Sequence, residues 1–163
     1  MKIFSIVTAF MGFSLLLACT KGGEPETVNG NVYSLSATAD SRQLVPAVDS
    51  NFAGALTGYY DEPMNILTYT VTWSNLWLDT KKDTVTAINF YGPATVTTNG
   101  PLVRSLPFVN TNKAGSINLG LAGSTALSAG EITSFLSGAF YYTINTKRYP
   151  AGIIRGQLSP VKK

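Results

Sequence analysis

Histidine is missing from this chain, and cysteine occurs once, as Cys19. Without an imidazole, a Ser-His-Asp triad, a Cys-His pair and every histidine metal site are excluded. Without a second thiol, no disulfide can form within the chain and no thiolate cluster can assemble. Charge is also scarce: 13% of the 163 residues are charged, the net charge is +3, and no Lys/Arg run exceeds two residues. A nucleic-acid reader concentrates its basic residues on one face, so nucleic acid is not an expected partner. What the chain does have is 45% hydrophobic content. That is enough for a core and unlike the apolar-poor composition of disordered chains. The length suits one ordinary domain.

The apolar residues are first concentrated at the N-terminus. Met1 and Lys2 supply a positive start, and residues 3–18 follow without a charge, carrying Ile6, Val7, Phe10, Phe13, Leu15, Leu16 and Leu17. This run is short for a membrane span, which needs about 20 apolar residues, and has the anatomy of a secretory signal. It ends in Leu16-Leu17-Ala18-Cys19, which resembles a bacterial lipobox. In that motif a small residue precedes a cysteine that receives a diacylglyceryl group before cleavage. Leu17 is bulkier than is usual at its place. The alternative is a plain signal peptide with an incidental cysteine, but Cys19 stands where the lipobox requires it.

The expected organisation is therefore a cleaved lipoprotein signal peptide over residues 1–18, a lipidated Cys19 opening a polar tether over residues 19–30, and a folded domain over residues 31–163. Residues 20–30 (TKGGEPETVNG) have the Gly/Pro-containing polar composition of such a tether. Several acyl chains on one cysteine, palmitate among them, satisfy the rule that stable anchoring needs more than one lipid signal. Membrane lipid is thus an expected partner. Thr20 and Lys21 show no obvious inner-membrane retention residue, which points to the outer membrane of a bacterial envelope, on its periplasmic or surface face.

Beyond residue 31 the apolar period is two, not 3.6. Leu67, Tyr69, Val71 and Trp73 share one face, with Thr68, Thr70 and Thr72 on the other. Phe140, Tyr142 and Ile144 alternate with Tyr141, Thr143 and Asn145, and Ile117, Leu119 and Leu121 with Ser116, Asn118 and Gly120. Residues 32–37, 52–60, 84–91, 102–108 and 153–158 are further strand candidates, rich in the Thr, Tyr, Val, Ile and Phe that pleated surfaces favour. Roughly eight short strands with polar or Gly/Pro breaks indicate an all-β, antiparallel sandwich or barrel. One short helix is expected: Ser128-Ala129-Gly130-Glu131 fits a capping box, with Ile132, Phe135 and Leu136 at helical spacing and Gly138 as the stop. That helix would plug one end of the sandwich.

Residues 138–158 (GAFYYTINTKRYPAGIIRGQL) resemble the signature of the CHRD domain, a family named from chordin and widespread in bacterial secreted proteins. Members typically end in a tyrosine-bearing strand, a Thr-containing turn and then Pro-x-Gly-Glu-Ile-Arg-Gly-Gln-Leu. Pro150, Gly152, Ile154, Arg155, Gly156, Gln157 and Leu158 match that run. Upstream, Phe90, Gly92 and Pro93 match a His-Ile-His-Gly-Pro segment, the first loosely. The resemblance covers residues 32–158 and implies an immunoglobulin-like β-sandwich with a distant likeness to copper/zinc superoxide dismutase. It also exposes departures. The family's two mid-segment histidines fall at Asn89 and Tyr91, a third falls at Asn145, and Ile153 stands in place of the family's Glu.

Those positions form the candidate site. Ile88 and Phe90 make the apolar face of their strand, so Asn89 and Tyr91 project together from the other. They stand about 6.6 Å apart along it, close enough to share one ligand. Histidines at that spacing could chelate, whereas an amide and a phenol are poor ligands for transition metals. The expectation is that Asn89, Tyr91 and Asn145, with Arg155 nearby, are a former metal site turned hydrogen-bonding patch, with no metal and no cofactor. The competing reading is that these groups satisfy one another and the loop backbone.

Other candidates are weaker. Asp79-Thr80-Lys81-Lys82-Asp83 lacks EF-hand ligand spacing and carries lysines that oppose a cation, so it reads as a solvated hairpin tip. Asp40, Asp49, Asp61 and Glu62 are scattered, and Glu131 already has a capping role. Catalysis therefore has no positive support, and the expected role is a non-catalytic binding or envelope-structural module, with an envelope protein or a glycan as partner. The alternative in another class is a divergent metal-dependent or redox enzyme of superoxide dismutase-like ancestry. A further alternative is a glycan-binding surface lipoprotein, using aromatic rings among Trp73, Trp77, Tyr59, Tyr60, Tyr141 and Tyr149. Trp77 and Tyr149, placed in loops, are the better stacking candidates of that group.

Overall fold

A computed structural model describes residues 30–74, 84–107, 114–118 and 127–163. Cys19, nearly all of the tether, Trp77 and the 79–83 tip lie outside these residues. Among the described residues nine strands appear in order: β1 (Val32–Asp40), β2 (Ala53–Asp61), β3 (Ile66–Ser74), β4 (Val85–Tyr91), β5 (Leu102–Pro107), β6 (Ala114–Asn118), β7 (Tyr141–Thr146), β8 (Ile154–Gln157) and β9 (Ser159–Lys162). One helix, α1 (Ala129–Leu136), precedes β7. The described strand pairings are antiparallel. The all-β expectation with one short helix therefore holds.

The strands follow the path β5-β4-β7-β8-β1-β2-β3-β6, with β9 beside β1. The join between the two halves is narrow. β8 meets β1 at a single register pair, Asp40 with Arg155, and β9 takes over the same edge from Tyr33 to Ser36. The sheet curls at this join, so that β3 faces β4: Tyr69 of β3 meets Phe90 of β4 edge-on, ring centres 5.9 Å apart. The result is a sandwich made from one continuous sheet. Its core takes Leu35, Leu56, Leu67, Val71, Ile88, Phe90, Tyr142, Ile144 and Ile154, all buried. Each comes from the apolar face of a period-two strand.

α1 closes one end. Ser128 Oγ accepts from the Glu131 backbone N–H, and Glu131 Oε2 accepts from the Ser128 N–H at 2.7 Å, completing the capping box. Phe135 then packs edge-on against Tyr60 and Phe140, at 4.8 and 5.5 Å. Gly138 stops the helix with φ +82°, a conformation that disfavours other residues.

Two elements were not foreseen. A 3-10 turn, Ser41–Gln43, follows β1 and is capped by Asp40, which accepts from the N–H groups of Arg42 and Gln43. β9 carries Pro160 and no clear alternation; its pairing with β1 links residues far apart in sequence. A third difference concerns β7. Alternation predicts one solvated face, yet all six residues are buried, because loops cover the face opposite the core.

Candidate functional site

The covered face of β4, β7 and β8 gathers the polar residues singled out from the sequence. Cross-strand pairing sets Asn89 opposite Thr143, Thr143 opposite Arg155, Tyr91 opposite Tyr141 and Tyr141 opposite Gln157. Direct partners in an antiparallel ladder point to the same side, so one face carries two adjoining polar rows. Over it lie the 44–46, 92–101 and 148–152 segments.

Arg155 is the centre of this arrangement and is 1% exposed. Its Nη1 donates to the Thr98 carbonyl at 2.9 Å and to Asn99 Oδ1 at 3.4 Å. Its Nη2 donates to the Thr95 carbonyl at 2.7 Å and to Gln157 Oε1 at 3.2 Å. Gln157 in turn donates to the carbonyls of Ala94 and Gly138. A planar fork with several donors can hold a loop backbone in this way, and lysine cannot. Burial lowers the guanidinium's pKa from its ordinary value, an effect the neighbouring Tyr141 opposes. Among the described residues no carboxylate stands within salt-bridge distance of it. Asp40, its register partner, spends its oxygens on Arg42 and Gln43.

Asn89 and Tyr91 meet as their spacing predicts, Asn89 Nδ2 donating to the Tyr91 hydroxyl at 3.2 Å. Asn89 is buried, and its Oδ1 has no hydrogen-bond partner. Asn145 pairs with Ala87, four register positions from Tyr91, and is committed elsewhere. Its Oδ1 accepts from Thr143 Oγ1 at 2.6 Å, and its Nδ2 donates to the Pro150 carbonyl at 2.7 Å. The set thus divides. Tyr91 and Arg155 border a cleft of about 270 Å³ together with Leu44, Val45, Tyr141 and Asn99, whereas Asn145 fastens the 148–152 turn.

The donor chemistry does not fit a transition metal. The three positions offer two amides and a phenol, one amide is held at both its oxygen and its nitrogen, and a guanidinium occupies the same face. Among the described residues no group of three His, Cys, Asp or Glu side chains could hold a metal ion.

Tyr141, offered by the sequence only as one of several rings, and the Gly100 backbone complete the cleft. Tyr91 stacks on Tyr141 with ring centres 5.1 Å apart and planes 10° from parallel. The Arg155 guanidinium carbon lies 3.6 Å from the Tyr141 ring centre, and the Tyr141 hydroxyl accepts from the Gly100 N–H. The loop through Thr95, Thr98 and Asn99 is held by Arg155, a partner that no local pattern in that segment indicates. A second, mostly apolar cleft of about 300 Å³ adjoins the first, sharing Leu44, Val45 and Ala151 and adding Pro46, Val48, Tyr149 and the charged Arg148. Tyr149 is half-buried and packs edge-on against Phe52 at 6.4 Å. Trp73 is half-buried and packs against the core.

These features define an all-β module whose polar strand face is roofed by loops. The family profile of the CHRD domain matches residues 35–158, and the chain belongs to that family. No curated protein and no solved structure matches it.

Proposed function

We propose that the chain is a lipid-anchored, non-catalytic binding module of the bacterial cell envelope, tethered through Cys19 and presenting the Tyr91–Tyr141–Arg155 cleft. The observation that carries this reading is the placement of the cleft. Residues 19–30 lead into β1 at Val32, and the cleft lies beyond its other end, where Asp40 meets Arg155 and the chain turns through Leu44 and Val45. A nine-residue strand spans roughly 27 Å at about 3.4 Å per residue. A chain entry at one end of β1 and a cleft at the other suits an anchored binding module. Among the described residues the cleft is bordered by two phenols, the Asn99 amide, the Thr143 hydroxyl, apolar groups and one guanidinium, with no carboxylate, thiol or imidazole. That supports binding over acid–base or nucleophilic chemistry.

Metabolic labelling with a palmitate analogue and envelope fractionation test the anchor. Wild-type chain is expected to carry label and to sediment with outer membranes, and Cys19→Ala is expected to lose both. Label retained by Cys19→Ala would sink the anchor, and stoichiometric copper or zinc in purified protein would sink the metal-free reading.

A second reading, glycan binding, rests on a different surface. Ser34, Thr57, Tyr59, Thr68 and Thr70 face outward from β1, β2 and β3 around a shallow trough of about 220 Å³, without a charged residue among its lining. Tyr59 is 52% exposed. A carbohydrate array that gave signal with wild type and none with Tyr59→Ala would favour this surface over the cleft.

A further inference from the structure

The chemistry of the cleft narrows its ligand, on the binding-module reading just given. A phenol offers one O–H donor and an acceptor oxygen. The Tyr91 oxygen accepts from Asn89 Nδ2 at 3.2 Å, and the Tyr141 oxygen accepts from the Gly100 N–H at 3.3 Å. In both, the acceptor side is engaged by the protein and the O–H is left to donate. The two rings are stacked neighbours on one face of the sheet, so two such donors border the same cleft. Beneath them lies Arg155, whose charge faces Tyr141 and loop carbonyls and is not neutralised by a carboxylate among the described residues. The cleft therefore combines two hydroxyl donors among its lining with positive potential, a pairing that favours an acceptor-only anion. Beyond Leu44 and Val45 the groove is lined by Pro46, Val48, Tyr149 and Pro150, with Arg148 the one charged residue of that lining.

We propose that the cleft binds a carboxylate attached to an apolar body, with the Tyr91 and Tyr141 hydroxyls donating to the carboxylate oxygens and the Pro46–Val48–Tyr149 surface covering the body. Asn89 is a positioning residue: by occupying the Tyr91 oxygen it directs that hydroxyl's proton toward the ligand. Phosphate would meet the same donors but leave the apolar half of the groove unfilled.

The test is calorimetric titration of the full chain in detergent, against a detergent-matched blank, with 3-phenylpropionate, its neutral amide 3-phenylpropionamide, and inorganic phosphate. Saturable binding of the acid is expected, with the amide and phosphate each at least about tenfold weaker. Tyr91→Phe and Tyr141→Phe, which keep the rings, should each weaken the acid about tenfold and leave the amide little changed. Val48→Asp, at an exposed position, should also weaken the acid by placing a like charge beside its body. Absence of saturable acid binding, equal binding of acid and amide, or unchanged acid binding in the Tyr91→Phe, Tyr141→Phe double variant overturns the proposal. Equal acid and amide binding that is lost in Tyr91→Phe overturns the carboxylate while leaving the cleft a binding site.

Discussion

Arg155 and Tyr141 are in face-to-cation contact: the guanidinium carbon lies 3.6 Å from the ring centre, and both residues are almost completely buried. An aromatic face attracts a cation most strongly where water is excluded. The same guanidinium holds the Thr95 and Thr98 carbonyls, so one side chain fixes both the roof and the floor of the cleft. The consequences are measurable at this residue and in the framework around it.

Replacing Arg155 by Gln or Lys removes the fork that reaches two carbonyls, Asn99 and Gln157 at once. Urea denaturation should show a loss on the order of 3 kcal/mol for either variant, because charge-assisted bonds are lost and acceptors are left buried. Lys should not rescue Gln. Hydrogen exchange should quicken through residues 94–100, with amides in β2 and β3 less affected.

Tyr142 has the opposite character. It is fully buried, its hydroxyl has no hydrogen-bond partner among the described residues, and burial pushes its pKa up. An unpaired hydroxyl in an apolar core costs free energy. Tyr142→Phe is therefore expected to leave stability unchanged or raise it by about 1 kcal/mol. A loss of more than that in thermal unfolding would mean the hydroxyl has a role.

Alkaline pH should weaken the fold. Burial, and then the charges of Glu62 and Asp61, raise the Tyr60 pKa from 10.0 to about 12. A group whose folded pKa is raised stabilises the fold fully below its unfolded value, and the contribution is lost as pH rises through the folded one. Stability measured across pH 10 to about 12 should fall. Tyr60→Phe should flatten that slope, although it also removes the bond to Asn65 Oδ1. A slope unchanged by the substitution would locate the effect in the other raised tyrosines, Tyr33, Tyr69 and Tyr142.

Gly156 lies between the two halves of the sheet. A Cβ there would come within 2.7 Å of Tyr142 Cε1, 2.9 Å of Ala39 Cβ and 3.0 Å of the Thr38 carbonyl oxygen. Gly156→Ala is expected to cost about 1–3 kcal/mol by overpacking, read as a lowered urea midpoint.

Much of this architecture is written in short-range pattern. The alternation of Leu67, Tyr69 and Val71 with threonines is enough to orient β3, and the Ser128–Glu131 box marks the start of α1 to the residue. The meeting of Asn89 with Tyr91 also follows from local spacing alone. The remainder depends on register between distant segments. Nothing near Tyr141 announces that it will stand between Tyr91 and Gln157. Nothing near Thr95 announces an arginine sixty residues on. Asn145 illustrates the limit of position along the chain: its amide is tied at the oxygen to Thr143 and at the nitrogen to Pro150, away from Tyr91. β9 escaped notice because an edge segment with a proline carries little alternation, and β1 alone gives it a place.

The pairing of β9 with β1 reaches to Lys163, whose N–H donates to the Val32 carbonyl at 3.0 Å. The two ends of the folded region are thus hydrogen-bonded neighbours, an arrangement that tolerates rewiring of chain order. A circular permutant that joins residue 163 to residue 31 through a short glycine linker, and opens at the exposed turn of Pro63 and Met64, should fold with every strand pairing intact. A fluorescent reporter fused after Lys163 would stand at the pole away from the Arg155 cleft, leaving its opening clear.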